Sequence, residues 1–423
     1  MIKQYLKQAW RTLRANPILS LISIVATAFA IAMMMVLVMT DRIKTSNFPP
    51  EVHRNRTLFI LNVTVRNKEK DNRSSSSMSS NLYKEVLSKI KSAEAIAIGA
   101  GFFPENRVST TDPKGDKYIS TVRKANLDYW KCYEYHFLYG HGFGEGDMES
   151  GVKKAILSEA FARKLFGRSD VVGETVMMDY EPFDVVGVVA TPSNLFIASY
   201  ADMWIPYTAV DSQDQNELGD FWGIILAKNS GDFPKIQAEM EQLLADYNAQ
   251  LQGVEIILNN DNHLKSWREM SNFLDSMGDK QKEAESRRNT IAFMILFILV
   301  PAINLATLTF SRHEQKLGEL GVRRSYGASR WSVIHQVITE SLLYTLIGGL
   351  LGFLLSIVAV YAMRNLLFLD FLGSNFDMSI WQIFNVWSFL IALLLCLILN
   401  LLSSIMPAWL MSRKDVIDAL NRR

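Results

Sequence analysis

The chain has 423 residues and carries 44 Lys and Arg against 43 Asp and Glu, for a formal net charge of +1. That balance provides no basic face for nucleic acid, and two cysteines are too few for a disulfide framework. The mean hydropathy of +0.08 averages two unlike materials, charge-free runs at both ends and a polar middle.

In residues 1–16, Ile2, Tyr5, Leu6, Ala9 and Leu13 recur at helical spacing, with Lys3, Lys7, Arg11 and Arg14 opposite. This predicts a cytoplasmic amphipathic helix lying on lipid headgroups. Ile18–Met39 then carries no charge, and three further uncharged runs follow: Ile291–Phe310, about Leu342–Met363 and about Trp387–Leu410. A bilayer core about 30 Å thick takes roughly 20 such residues as a helix, so four transmembrane helices are expected over 17–40, 291–310, 333–363 and 387–410. The first run is too long for a signal-peptide core, and no small-residue cleavage site follows at Thr40–Lys44, so it reads as a retained anchor. A bilayer would separate Cys132, in the polar middle, from Cys396, in the last apolar run.

Orientation follows from Lys and Arg in short flanks. The N-terminus is basic. The 311–332 link holds Arg312, Lys316, Arg323, Arg324 and Arg330 against Glu314 and Glu319, and the 411–423 tail holds Arg413, Lys414, Arg422 and Arg423. The 364–386 loop has one basic residue with Asp370 and Asp377. Both termini and the 311–332 link are therefore expected in the cytoplasm, with 41–290 and 364–386 outside.

Residues 41–290 can bury a core of their own. Leu58–Val65 alternates like a strand, Ser74–Ser80 reads as a flexible loop, and Leu82, Tyr83, Val86, Leu87 and Ile90 form a helical stripe before the apolar run Ala95–Ile98. Phe221–Ala227 and Val254–Leu258 read as strands flanking a helix marked by Ile236, Met240, Leu243, Leu244 and Tyr247. An inserted subdomain at roughly 126–215 would hold a helix at Ser158–Phe166 and strands at Thr175–Asp179 and Phe183–Val189. Leu264, Trp267, Phe273, Leu274 and Met277 outline a stalk helix toward the second span. The fold class is thus an α-helical membrane protein with four transmembrane helices and a large α+β extracytoplasmic domain of two subdomains between the first two.

Cys132, His136 and His141 carry metal-capable side chains, but their spacing fits no standard zinc pattern, so no metal site is assigned. No nucleophile, base and oxyanion donors group together, so no catalytic residue is assigned. No Gly-x-x-x-x-Gly-Lys-Ser/Thr stretch occurs, so ATP and magnesium are expected on a separate polypeptide and no cofactor in this chain.

Glu319-Leu-Gly-Val-Arg-Arg-Ser-Tyr-Gly-Ala-Ser329 resembles the signature of FtsX-like ABC permeases. Gly348-Gly-Leu-Leu-Gly352 with Glu340 before it resembles that family's third span, and Pro407-Ala408 through Val416–Leu420 its ending. Ile156–Gly167, Val172–Thr175 and Phe183–Val189 are similar to a MacB-like periplasmic core. Ser325 stands where the family usually has Ala, and His141 where it commonly has Arg. The size of the outward domain is similar to the MacB-like or lipoprotein-releasing branches rather than the division-associated one.

The resemblance implies a type VII ABC permease in the bacterial inner membrane, coupled to a separate ABC ATPase and acting as a homodimer or a heterodimer with a similar permease. It also implies export or extraction of an antibiotic, peptide or lipoprotein, with a periplasmic adaptor and outer-membrane channel as further partners. The alternative is a non-transporting signalling device that regulates a cell-wall hydrolase or sensor. Glu319, Gly321, Arg323, Arg324 and Gly327 are the expected ATPase-coupling residues: the glycines allow close approach and the arginines forked salt bridges. Gly348, Gly352 and Ser356 carry the small-residue spacing of helix packing, within one chain or across a dimer. Glu340 reads as a capping or pairing group, and Pro301, Asn304, Asn400 and Pro407 as kink and packing positions.

Overall fold

The computed structural model describes residues 17–69, 72–100, 105–192, 198–210, 217–270 and 330–362, with Arg14 and scattered helical positions at 284–303 and 386–401. These residues form two units, a helical one from the two ends of the chain and a core domain centred on 45–287.

The described chain opens with helix α1 (Pro17–Thr45), which runs on past the apolar stretch through Asp41, Arg42 and Lys44. The core domain begins with β1 (Thr57–Ile60), β2 (Val63–Asn67), β3 (Arg73–Met78), α2 (Ser80–Glu85) and β4 (Ala95–Ala100). The expected single strand Leu58–Val65 is two strands, because the backbone leaves the ladder at Leu61–Asn62. Asn259, almost fully buried at φ 49°, fills the break. Its side-chain oxygen accepts from Leu61 N at 2.9 Å and Asn62 N at 3.3 Å, and its amide donates to the Phe59 and His263 carbonyls at 3.0 and 2.9 Å. Asn259→Ala strands these buried groups and is expected to cost about 3 kcal/mol, read as a lower thermal midpoint of the full chain.

The serine-rich run, expected as a loop, is strand β3. Ser74, Ser75 and Ser76 pair with Val65, Thr64 and Val63 of β2, and Met78 at its end is fully buried. Backbone pairing holds this strand while its serine side chains face outward, so tertiary context overrides composition. In the expected helical stripe, Leu82, Val86, Leu87 and Ile90 are all buried, but α2 stops at Glu85 and a 3-10 turn at Leu87–Lys89 follows.

The chain then builds an inserted lobe from β5 (Glu105–Thr110), β6 (Lys117–Ala125), β7 (Phe137–Gly140), β8 (Lys154–Ser158), α3 (Glu159–Phe166), β9 (Thr175–Met178), β10 (Glu181–Val189) and β11 (Met203–Pro206). Strand β10 lies parallel to β8 and antiparallel to β9 and β7. The lobe starts at Glu105 rather than near residue 126, because β5 pairs with β6 and β9, and β6 with β11. The polar sequences of β5 and β6 conceal this: β5 is mostly exposed or half-buried, and β6 buries polar Ser120, Thr121 and Arg123.

The first lobe is completed by β12 (Leu218–Gly219), β13 (Phe221–Leu226), α4 (Phe233–Gln250), β14 (Val254–Leu258) and β15 (Lys265–Ser266). Strand β13 is buried throughout, as expected of a strand with neighbours β1 and β4 on its two sides. Helix α4 lays Ile236, Met240 and Leu244, spaced i, i+4 and i+8, into the same apolar core. The open edge at β14 is closed by Asn248 of α4, whose side chain bonds both Ile256 N, at 2.7 Å, and Ile256 O, at 2.9 Å. This cap blocks edge-to-edge pairing there.

The described strands form one sheet of 15, in the order β11-β8-β10-β9-β5-β6-β4-β13-β3-β2-β14 along its main path. The lobes join through one pair between β4 and β6, Gly99 with Ala125. Beyond that pair, side chains replace the ladder. Asn126 accepts from Ile98 N and donates to Ile96 O, and Asp128 accepts from Ile96 N.

In the helical unit, the described residues also form helix α5 (Arg330–Ala362). Its stretch Leu342–Ala359 has a mean hydropathy of 2.2 over 18 residues, enough by length and composition to cross a membrane. Ser20–Val36 of α1 is a shorter apolar stretch. Most of the second and fourth expected spans, the 1–16 segment, the 364–386 loop and the 411–423 tail lie outside the described residues.

Candidate functional site

Two places in the structure carry features that the packing of an ordinary water-soluble core does not require. The first is the contact between α1 and α5. Gly348 and Gly352 present bare backbone to α1: a Cβ at Gly348 would sit 2.7 Å from Thr27 Cβ and 3.1 Å from Ile24 O. At Gly352 it would meet the Ala28 carbonyl and lie 2.9 Å from Ile31 Cβ. Ser356 is fully buried and donates to Phe353 O at 2.7 Å, so its hydroxyl is satisfied within its own turn. One turn before Gly348, the Tyr344 hydroxyl meets Ser20 Oγ at 3.0 Å.

The outward faces differ from those of a protein in water. Ser20, Thr27, Thr345, Ser356 and the glycines point inward, while Leu21, Val25, Phe29, Leu350, Leu354 and Val358 stand more than half exposed. Ile24, Ile31, Met34 and Met35 of α1 are buried as well. An exposed aliphatic face opposite small and polar residues at the contact suits helices packed in lipid, where lipid removes the hydrophobic drive between them.

The second place is where the chain joins the core domain. Arg54 is 3% exposed and its Nε donates to Glu51 Oε2 at 2.7 Å, with Glu51 only 1% exposed. Arg54 Nη1 donates to Ser46 O at 3.0 Å, one residue past α1. The guanidinium lies over the Trp267 ring at 4.1 Å, and Trp267 packs edge-on against Phe59 at 5.7 Å. Here β15 pairs with β1, Ser266 opposite Leu58 and Lys265 opposite Phe59. The incoming segment 46–56 and the outgoing segment 264–270 are thereby joined through one cation. Of the residues expected on a stalk helix, Leu264 lies before it in the domain core, and Trp267 opens a helical stretch at 267–270 with its ring packed into that core. Residues 271–283, with Phe273, Leu274 and Met277, lie outside the described residues. Sequence reading missed Glu51 and Arg54. A signal exists in Glu51-x-x-Arg54 at i,i+3, but that spacing is common on surfaces and announces nothing about burial.

The expected coupling residues Glu319, Gly321, Arg323, Arg324 and Gly327 lie outside the described residues. Cys132 sits in the aromatic core beside Tyr129 and Tyr133, and burial pushes its thiol up, so it packs as a small neutral side chain. His141 is exposed and turned to the Gly142 carbonyl at 2.7 Å. Gly140, just before it, has φ 68°, and a Cβ there would meet Val186 O and Gly187 Cα. The periplasmic-core motif Ile156–Gly167 has a mechanical reading. Strand β8 ends at Ser158, whose Oγ accepts from Phe161 N, and α3 runs until Gly167 turns left-handed at φ 71°.

Nearby, the Lys154 amino group, 2.6 Å away, and the Gly144 N–H hold the Asp147 carboxyl below the usual carboxylate range. A depressed folded value stabilises above the unfolded value and is lost as pH falls through the folded one. Asp147→Asn is therefore expected to flatten the acid limb of the stability–pH curve while changing stability least below both values.

Among the described residues, fold and site comprise apolar helices packed through small residues and, as a separate unit, a large α+β core domain. The family description "MacB-like periplasmic core domain" matches residues 20–243, and "FtsX-like permease C-terminal" matches residues 291–416. The chain belongs to the MacB-like branch of the FtsX-type permeases. It is 25% identical over 295 residues to a macrolide export ATP-binding/permease protein, MacB, of Pasteurella multocida, covering 70% of this chain and 42% of that one. It is 24% identical over 237 residues to an uncharacterized ABC transporter permease, YknZ, of Bacillus subtilis, covering 55% of each. The chain thus matches about half or less of these relatives' length. The crystal structure of the periplasmic region of MacB from Actinobacillus actinomycetemcomitans aligns at 14% identity with a TM-score of 0.34, over 47% of this chain and 88% of that one.

Proposed function

We propose that the chain is the membrane subunit of an ATP-driven complex of the MacB-like type. A separate ABC ATPase hydrolyses ATP below the bilayer, and this chain relays the work to its core domain on the outer side. The observation that carries the reading is the pair α1 and α5, with glycines, serines and threonines at their contact and a face of exposed aliphatics. Such a pair is stable in lipid and links the membrane to the folded domain that α1 enters. Four spans with both termini in the cytoplasm complete the reading, with 311–332 as the contact for the ATPase. Magnesium and ATP belong to that partner. Two copies, or one copy and a similar permease, form the assembly, and the driven domain expels or extracts an antibiotic, peptide or lipoprotein, with or without an adaptor and outer-membrane channel.

The test has two parts. Single cysteines placed at 311–332 and in the core domain are labelled from each side of inverted and right-side-out vesicles. Labelling of both from the same side ends the proposal. In reconstituted complexes, Arg323→Ala with Arg324→Ala is expected to uncouple the partner's ATP hydrolysis from substrate output. Unchanged coupling removes the role of those two arginines.

A further inference from the structure

The core domain receives its first connector, 46–56, from α1 and ends with its second, 264–270, before the apolar sequence run Ile291–Phe310. Backbone pairing beside them is slight: β15 contributes two residues, opposite Leu58 and Phe59 just past the first connector. What ties the connectors together is Arg54, held by Glu51 and Ser46 O on the first and stacked on Trp267 of the second. We propose that Arg54 is a positioning residue, a clamp that makes both connectors move as one rigid base beneath the core domain.

Three features favour this over a purely stabilising role. A buried ion pair gains little stability over an apolar pair of similar volume, so its use points to geometry. This pair is also incompletely satisfied, since Glu51 Oε1 is buried with no hydrogen-bond partner among the described residues. Finally, a guanidinium is the one cationic group that can fork to a carboxylate and a carbonyl while lying flat on an indole. Those directions fix Trp267 relative to Ser46, and a lever with slack at its base would lose displacement before the domain moved.

The test uses the full chain in lipid nanodiscs, with Cys132 and Cys396 replaced by Ala and spin labels at Asn47→Cys and Arg268→Cys, both exposed positions in the core domain. The native pair is expected to give one narrow distance distribution. Glu51→Leu with Arg54→Met retains volume without charge; it should stay folded by its thermal midpoint, yet broaden the distribution. Arg54→Lys should broaden it as well, because an ammonium cannot stack and fork together. A folded double variant with the native width overturns the proposal. If the double variant does not fold, Trp267→Leu takes its place with the same two outcomes.

The transport consequence rests on the reading under Proposed function and is measured separately. With the ATPase partner, the double variant should keep nucleotide hydrolysis while output per ATP falls about tenfold, within the range for residues that carry coupling. If the native distribution is narrow but nucleotide trapping leaves the core domain unmoved, the ATP relay fails and the clamp stands.

Discussion

Arg54→Ala is expected to destabilise the core domain by about 3–5 kcal/mol, the cost of leaving one partner of a buried ion pair uncompensated. Glu51 is 1% exposed and its Oε2 accepts from Arg54, so the truncation leaves a carboxylate in the core with no cation beside it. The Ser46 carbonyl loses a donor in the same step, and Trp267 loses the group lying on its face. For a domain of this size each kcal/mol moves the midpoint by about 2–4 °C, so a fall of about 10 °C is expected in a thermal melt of the purified full chain. The paired substitution Glu51→Leu with Arg54→Met should melt close to the native protein, because removing both charges removes the penalty. A single variant that melts no lower than the pair would show that Glu51 is not held as a buried charge.

Gly352→Val is expected to separate α1 from α5. The new Cβ would meet the Ala28 carbonyl and lie 2.9 Å from Ile31 Cβ. The first of these neighbours is backbone, which cannot rotate aside. Overpacking of this kind costs about 1–3 kcal/mol where side chains can yield, and more where main chain must move. In lipid the close approach is itself the main attraction between the helices, so its loss has no hydrophobic compensation. The variant should extract as a broader, less stable species in detergent, with a lower melting midpoint. Leu350→Val, at a residue 63% exposed on the same helix, is the control and should be close to neutral. Equal melting of the two variants would remove the contact assigned to Gly352.

Much of the core domain is legible in order. Val254–Leu258 is a strand at the expected limits, and the apolar period of Ile236, Met240 and Leu244 marks α4 because only one of its faces meets the core. Elements with a strong internal period declare themselves in this way. The serine strand β3 and the hairpin β5–β6 do not, because they lack a clear apolar period and are held in part by distant strands, β3 by β12 and β13 and β5 by β9. Asn259 illustrates the same limit: nothing local marks an asparagine as the group that completes a strand break some two hundred positions earlier.

For the site, the glycine spacing at 348 and 352 announces a close helix contact but does not name the opposing helix. Here Thr27, Ala28 and Ile31 occupy that position. The clamp was not legible, since Glu51-x-x-Arg54 resembles any exposed i,i+3 pair until Trp267 covers it.

Composition and period by themselves determined the apolar runs, the charge asymmetry of their flanks and the family signatures, because each is a property of neighbours along the chain. Only the tertiary structure decided which helix the glycines meet, where the inserted lobe begins and that one buried arginine joins the two ends of the core domain. Those features depend on pairs of segments far apart in sequence, whose meeting is settled by packing and by the need to pair every buried polar group.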